Sequence, residues 1–322
     1  MTTSRPVEQS VAPALLGMHL ALMATMVVWA LNVTLIKWLV ETMDVMLSAA
    51  MRMGFATLAL VALMYLGGKQ LPLFRGRILV LACLAALLMV YGNQVLFVSA
   101  MTRTTASNAA LILALNSLLN GVMEALFFRK RLRPLYLLGV AITLAGVCLV
   151  IFNNPAASWS APSVGDLLVL ASMLSFGLGV VVLQYLSLHN DRHPGQLSLN
   201  SFIYGVGALA LILHVLVFTD NGLAPMLELP GSVWAVLLFS GLVITGLGAV
   251  AWGRGVATIG AGRAAIYMSW VPLLGVAFGA LVLKEPLTQW HLYAVLAVLT
   301  GTALCNLQPE RWRRAPSRLG TE

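Results

Sequence analysis

Charged residues are scarce in this chain of 322 residues, because Asp, Glu, Lys and Arg together make up only 9% of it. Soluble globular domains contain about a quarter charged residues, so the polar side chains here are too few to cover a water-exposed surface. The hydrophobic fraction is 60%, and the mean hydropathy is +0.92. The composition therefore excludes an ordinary water-soluble protein and predicts an integral membrane protein whose solvent is the lipid bilayer.

Catalytic and metal-binding motifs are also missing. The sequence contains neither an H-E-x-x-H zinc motif nor a P-loop, and no inward pair of carboxylates is evident. The histidines are scattered, and the cysteines lie in apolar segments without paired spacing, as buried small hydrophobes do. These residues are His19, His189, His193, His214 and His291, and Cys83, Cys148 and Cys305. We therefore predict a protein that is not an enzyme and that holds no metal and no cofactor.

The basic residues indicate orientation rather than a nucleic-acid partner. The net charge is +8, but aromatic residues do not interleave the basic ones on one face as they do in nucleic-acid binders. All but four of the 19 Lys and Arg residues lie in regions that one orientation places in the cytoplasm, as the positive-inside rule requires. The four are Lys37, Arg52, Arg103 and Lys284. We predict a bacterial-type cytoplasmic (inner) membrane protein with both termini in the cytoplasm.

Long apolar runs divide the chain into membrane spans, each of which needs roughly 20 residues to cross the hydrocarbon core. The predicted spans are residues 14–39, 46–67, 77–99, 105–128, 135–152, 165–187, 198–219, 232–254, 261–283 and 289–306. Residues 1–13 form a cytoplasmic tail, residues 153–164 a linker on the opposite side, and residues 307–322 a basic cytoplasmic tail. The first span is too long for the core of a signal peptide, so we expect it to remain as a helix. The predicted fold is all-α with ten transmembrane helices.

An internal repeat relates the two halves of the chain. A shift of 155 residues places the segment from Met101 on the segment from Val256 without a gap, and it matches Ala-Ala, Leu-Leu and Gly positions. A second shift, of 147 residues, places Trp29 on Phe176. The pattern predicts two five-helix units, residues 14–152 and 165–306. Because five is odd, the second unit enters the membrane from the opposite side, which is the inverted repeat of secondary transporters.

Several motifs resemble the drug/metabolite transporter superfamily, specifically its EamA-type ten-helix permeases. They are "WALNVTLIK" from Trp29, "MRMGFA" from Met51, "FVSAMTRTTASNAALI" from Phe97, "GDLLVLASMLSFGLG" from Gly165, and "GRGVATIGAGRAAIYMSWVPLLGVAFGALVLKEPLT" from Gly253. The resemblance covers roughly residues 15–306. The second half keeps the family's Pro272 and Glu285, whereas the equivalent first-half residues are Ser117 and Lys130.

The resemblance implies a transporter of small molecules with a central cavity between its halves. We expect export of amino acids or similar polar metabolites by alternating access. The alternatives are broad efflux of drugs or toxic compounds and, less favoured, a non-transporting accessory membrane subunit. The expected partners are a small-molecule substrate, the lipid bilayer and, as a hypothesis, protons as the coupling ion, whereas the sequence assigns no oligomeric state.

A polar stripe in the fourth span supplies the first candidate site residues. Asn116, Asn120 and Glu124 recur every four residues and so lie on one broad face of a helix. Polar side chains in a membrane turn inward, where the asparagines would hydrogen-bond substrate or, equally well, a neighbouring helix. Glu124 is a candidate for proton coupling, although it lies near Arg129 and would also fit an interfacial ion pair.

Other candidate substrate-binding residues are distributed over the first, third, eighth and ninth spans. They are Trp29, Asn32, Tyr91, Asn93, Gln94, Trp252, Tyr267 and Trp270. The polar ones supply donors and acceptors, with hydrogen bonds between packed helices as the alternative, and Trp29 is included because the family resemblance supports it. Tyr267 and Trp270 share a face under α-helical spacing and would stack on a planar or cationic group. Arg52 is expected near the outer surface in a structural role, where Glu41 or Asp44 would pair with it.

Overall fold

The computed structural model describes residues 8–127, 134–152, 163–188, 195–220 and 222–306. Within these ranges every regular element is helical and no strand occurs. The helices are α1 Glu8–Thr42, α2 Val45–Leu66, α3 Gly76–Met101, α4 Ala106–Leu113, α5 Leu115–Phe127, α6 Pro134–Phe152, α7 Val164–Leu188, α8 Gln196–Phe218, α9 Gly231–Ile259, α10 Ala261–Met268, α11 Trp270–Val282 and α12 Gln289–Asn306. A short 3₁₀ turn at Ala224–Glu228 precedes α9.

The length and surface of the helices confirm the predicted class of integral membrane protein. In the described part of the chain, six helices are long and apolar enough to cross a membrane, namely α1, α2, α3, α7, α8 and α9. Shorter apolar helices occur at Pro134–Val150, Ile266–Val282 and Gln289–Cys305. Large apolar side chains such as Leu58, Leu209 and Leu296 are exposed on the outward faces. In water these faces would be unfavourable, whereas lipid tails cover them without cost.

Capping signals in the sequence mark several helix ends. The Asp44 carboxylate accepts a hydrogen bond from the Leu47 amide at 2.8 Å and so caps α2, and the Thr105 hydroxyl accepts one from the Asn108 amide at 3.1 Å and caps α4. Pro134 is the first residue of α6, where its missing N–H leaves no helical bond unmade. Gly260 separates α9 from α10 with a φ of 86°, a conformation that favours glycine.

Two predicted spans are each broken into two helices. The span predicted at residues 105–128 is interrupted at Ala114, and the span predicted at 261–283 is interrupted at Ser269. Pro272 accounts for the second break, because it has no N–H to donate to the carbonyl of Met268. No proline lies in the turn after Ala114, where Ser117 is equivalent to Pro272, so the sequence carried no comparable signal for the first break.

Two helices contain π-helical turns whose carbonyl groups are hydrogen-bonded by side chains. These turns are Leu87–Gly92 within α3 and Phe239–Leu247 within α9. Ser175 donates to the Leu88 carbonyl at 2.8 Å, and Trp29 donates to the Ile244 carbonyl at 3.0 Å. Such turns are uncommon and are frequent at functional sites. Here they rotate the residues that follow them relative to an unbroken α-helix.

The helices pack around a centre to which most of them contribute. Helix α1 packs on α9 and α11, and α7 packs on α3, α4 and α5. Helices α2 and α8 contact each other, and so do α4 and α11. The most extensive contact joins α6 to α12, where Gly139, Gly146 and Gly301 allow a close approach of the two backbones. The arrangement leaves a central cavity whose wall is formed by residues of helices α1 to α5 and α7 to α11.

Candidate functional site

A cavity of about 300 Å³ lies in the centre of the helix bundle. It adjoins both helix breaks, since Leu113 and Asn116 flank Ala114, and Met268 and Val271 flank Ser269. The polar side chains in its wall are Asn32, Arg52, Asn93, Gln94, Asn116, Tyr204 and Thr245. The larger apolar ones are Trp29, Met53, Met89, Phe97, Met173, Phe176 and Met268. This mixture suits a small molecule with a few polar groups and an apolar part.

The structure brings five of the residues suggested by the sequence to this cavity. They are Trp29, Asn32, Asn93, Gln94 and Asn116. Asn116 and its repeat partner Val271 both face the cavity, so the two broken helices present one polar and one apolar residue. Trp252 is not in the wall, but its ring packs against that of Trp29 with the centroids 5.7 Å apart. Trp252 therefore supports Trp29 and does not contact the cavity.

Tyr91, Tyr267 and Trp270 do not reach the cavity. The Tyr91 hydroxyl lies 2.9 Å from Nδ1 of His214 on α8, and the Tyr267 hydroxyl lies 2.6 Å from Nδ1 of His19 on α1. Trp270 is 44% exposed on the outer surface of α11.

The expected faces assumed continuous α-helices, and this assumption was wrong. The π-helical turn in α3 ends between Tyr91 and Gln94, and the break at Ser269 lies between Tyr267 and Trp270. The α-helical spacing that would place Tyr267 and Trp270 on one face therefore does not apply across Ser269, and the π-helical turn likewise changes the direction of Gln94 relative to Tyr91.

Asn120 and Glu124 lie on α5, but their side chains are outside the described residues. Their roles in substrate binding and proton coupling remain predictions. Gly275 and Gly279 occupy the equivalent positions of α11, where they approach Ala110 and Ser107 of α4.

Hydrogen bonds orient two of the amides in the cavity wall. Nδ2 of Asn93 donates to the backbone carbonyl of Ser172 at 3.0 Å, which identifies the nitrogen of that amide. Its Oδ1 accepts from Nε2 of Gln94 at 3.3 Å. Oε1 of Gln94 therefore remains as a hydrogen-bond acceptor, and it is buried without a partner.

Arg52 is a cavity residue that sequence analysis placed elsewhere. Its side chain is only 1% exposed, and its Nε donates to the Ser240 hydroxyl at 2.9 Å. Neither of its expected partners contacts it, because Glu41 pairs with Lys37 at 3.1 Å and Asp44 caps α2. The one signal in the sequence was an isolated arginine inside an apolar run, which is costly in a membrane unless it has a function. Ser240 carried no signal of its own.

The fold and this site together define a class, an α-helical membrane protein with a central cavity of amide and guanidinium groups. Among the described residues, no cluster of His, Cys, Asp or Glu has the arrangement of a metal site. The described residues of the cavity wall supply hydrogen-bond donors and acceptors, and among them no nucleophile lies beside an activating base.

The chain belongs to the EamA-like transporter family, whose sequence profile matches it twice, at residues 16–152 and 163–307. It is therefore a membrane transporter and not an enzyme, as the sequence predicted. The "Uncharacterized transporter YetK" of Bacillus subtilis (strain 168) is 22% identical, over 94% of this chain and 92% of that protein. The "Probable amino-acid metabolite efflux pump" of Escherichia coli (strain K12) is 26% identical, over 90% of this chain and 94% of that one.

A solved crystal structure has the same fold. It aligns with a TM-score of 0.62 and 17% sequence identity, over 88% of this chain and 95% of the other. The alignment therefore spans nearly all of both helix bundles.

Proposed function

We propose that this chain is a secondary transporter that exports amino acids or similar small polar metabolites by alternating access. The observation that carries the proposal is the central cavity, in which polar side chains from both halves of the chain face one space. Membership of a transporter family and the printed name of the Escherichia coli relative support it. A cytoplasmic membrane location with both termini inside belongs to the same proposal, on the distribution of basic residues.

The proposed architecture is ten transmembrane helices arranged as two inverted five-helix repeats. The breaks at Ala114 and Ser269 are separated by 155 residues, and so are the helix starts at Gly76 and Gly231. The π-helical turns end at Gly92 and Leu247, again 155 residues apart. The packing of α1 on α9 and α11 is matched by that of α7 on α3 and α5. These coincidences support a repeat because independent helices have no reason to break at equivalent residues.

The broken helices suggest where movement takes place. Helix breaks next to a central site are typical of inverted-repeat transporters, in which one half rocks against the other. Here α5 begins beside the cavity and α10 ends beside it. Gly275 of α11 packs on Ala110 of α4 across the interface between the two repeats. A rocking motion at this interface would open the cavity to each side of the membrane in turn.

Transport in proteoliposomes tests the proposal, with Asn116→Ala as the variant. We expect uptake of labelled amino acids into liposomes that contain the wild-type protein, and an increase of about tenfold in KM for the variant, because a cavity hydrogen bond to a charged substrate is lost. Asn200→Ala is the matched control. Oδ1 of Asn200 accepts a hydrogen bond from Nε2 of Gln196 at 3.1 Å, and neither residue lies in the cavity wall. If the wild-type protein transports no amino acid, the proposed substrate class is wrong.

Proton coupling through Glu124 is a separate part of the proposal. We expect a pH gradient across the liposome membrane to accelerate amino-acid transport by the wild-type protein. Because glutamine cannot release a proton, Glu124→Gln should abolish this acceleration while it retains exchange of substrate against substrate. The measurement is the ratio of initial rates with and without the gradient. An accelerated rate that persists in Glu124→Gln would assign the coupling to another group, and a ratio of one in the wild-type protein would show that protons do not drive transport.

Broad efflux of drug-like compounds is a second candidate function that one observation favours. Four methionines and four aromatic residues, including Trp29 and Tyr204, lie in the cavity wall, and such flexible apolar surfaces accept varied ligands. The same proteoliposomes decide between the two functions when they are assayed with ethidium beside the amino acids. Transport of ethidium without transport of amino acids would establish the second function in place of the first.

A further inference from the structure

Arg52 carries a positive charge into the central cavity, and no carboxylate among the described residues pairs with it. The residue is 1% exposed, and its Nη1 is buried without a hydrogen-bond partner. No described residue in the cavity wall is acidic. A buried guanidinium with unpaired N–H groups is costly, and an anionic group that enters the cavity would remove that cost.

The neighbours of Arg52 add a second donor. Its Nε donates to the Ser240 hydroxyl at 2.9 Å, and that hydroxyl donates in turn to Oδ1 of Asn32 at 2.5 Å. A hydroxyl has one proton to give, so this chain fixes Oδ1 of Asn32 as an acceptor and leaves its Nδ2 as a donor. Asn32 and Arg52 both lie in the cavity wall. Two N–H donors, one of them charged, suit the two oxygens of a carboxylate.

The same cavity also contains two unpaired acceptors. Oε1 of Gln94 and Oδ1 of Asn116 are buried without a hydrogen-bond partner. In the described part of the chain, the only other such side-chain atom besides Nη1 of Arg52 is the hydroxyl of Thr34. Native proteins pair nearly all buried polar groups, so three such groups at one cavity suit a ligand with complementary donors and acceptors. Amide carbonyl oxygens accept hydrogen bonds from an ammonium group.

We propose that Arg52 binds the carboxylate of the exported substrate, while the carbonyl oxygens of Gln94 and Asn116 accept hydrogen bonds from its ammonium group. The inference rests on the proposed function and makes it specific, because the site then selects free α-amino acids. Esters and amides of the same compounds lack the negative charge and bind weakly. The methionines and aromatic rings in the remaining wall surround an apolar side chain.

The experiment compares ligands that differ only at the carboxyl group. Dissociation constants are measured for L-leucine, L-methionine and L-phenylalanine, and for the amide and methyl ester of each, with the full-length chain in detergent. We expect the free acid to bind about ten- to one-hundredfold more tightly than its amide, as charged hydrogen bonds do compared with neutral ones. Equal binding of acid and amide would overturn the role of Arg52 even if amino-acid transport stands.

The variant Arg52→Gln tests the residue itself. Glutamine keeps an N–H that can donate to Ser240, so the expected effect is loss of charge with the local packing retained. Binding of the acid should fall ten- to one-hundredfold, while binding of the amide should remain as in the wild type. A merely structural residue would weaken both ligands equally, and that result would contradict the proposal. Arg254→Gln, which alters an exposed arginine at the end of α9, should change neither constant.

Three further outcomes decide between this inference and the proposed function. If Arg52→Gln does not fold, the comparison of acid with amide on the wild-type protein still decides the matter. If no amino acid binds and none is transported in proteoliposomes, the proposed substrate class fails and the role of Arg52 fails with it. If amino acids are transported but acid and amide compete equally, only the role of Arg52 is wrong.

Discussion

Gly301→Ala is expected to destabilise the protein strongly, because the added methyl group has no space between α6 and α12. A Cβ at this position would overlap the Thr143 hydroxyl and the Gly139 carbonyl oxygen, and it would lie 2.9 Å from the Thr143 amide. Two of these groups belong to the backbone of α6, so the helices would have to separate. Overpacking of this kind costs about 1–3 kcal/mol or more. Thermal unfolding in detergent should show a Tm lowered by several degrees and a smaller monodisperse fraction.

The matched control for Gly301→Ala is Gly54→Ala on α2. A Cβ at Gly54 meets nothing within 4 Å, and alanine favours a helix over glycine by about 1 kcal/mol. The control should therefore leave Tm unchanged or raise it slightly. If both variants behave alike, the close approach of α6 and α12 is wrong, and with it the packing role of Gly139 and Gly301.

Most of the helical architecture could be predicted because lipid imposes a simple rule on sequence. A span needs a long apolar run, and the predicted segment 289–306 coincides with the observed α12, Gln289–Asn306. The interruptions at Ala114 and within Leu87–Gly92 could not be predicted in this way. The π-helical turn is accompanied by a contact from another helix, since the Ser175 hydroxyl donates to the Leu88 carbonyl, which also accepts the Asn93 amide. A hydropathy pattern contains no information on those distant partners.

The candidate site shows the same division between local and distant signals. Asn32, Asn93, Gln94 and Asn116 stood out because amides are rare in apolar helices, and the structure places them at one cavity, although their binding role remains a prediction. Arg52 was assigned to the surface because acidic residues lie near it in sequence. Its actual partner, Ser240, is 188 residues away. Only the packing of α2 on the π-helical turn of α9 could reveal that contact.

Glu285→Ala is expected to have the second large effect, because this carboxylate joins the two halves of the chain at one end of the bundle. Oε1 accepts from the Ala106 amide at 2.6 Å, and Oε2 accepts from the Ser107 amide at 2.9 Å and the Ser107 hydroxyl at 2.6 Å. These donors form the first turn of α4, where the helix dipole also favours a negative charge. The carboxylate therefore adds a cap from the other half of the chain to the local cap that Thr105 provides at the Asn108 amide.

The end of α11 holds Glu285 in position for these contacts. The Glu285 amide donates to the Gly279 carbonyl at 3.2 Å, and Lys284 before it adopts a left-handed φ of 55° directly after the end of the helix. Nearby, Nε2 of His291 lies 3.1 Å from Oδ1 of Asn108, so a second contact joins α4 to the first turn of α12. We infer that this group of contacts fixes α4 to the loop between α11 and α12.

Removal of the Glu285 carboxylate leaves three donors at the start of α4 without their acceptor. Because hydrogen bonds to a charged group contribute about 1.5–3 kcal/mol each and do not add fully, we expect Glu285→Ala to cost at least about 3 kcal/mol. Tm should fall, and hydrogen exchange at the Ala106 and Ser107 amides should accelerate by about a hundredfold. Glu285→Gln keeps one carbonyl acceptor, so its Tm and exchange rates should lie between those of the wild-type protein and those of Glu285→Ala. The control Glu228→Ala alters an exposed carboxylate in the 3₁₀ turn and should leave both Tm and hydrogen exchange unchanged. If Glu228→Ala has the same effect as Glu285→Ala, the contacts from Glu285 to α4 do not stabilise this end of the bundle.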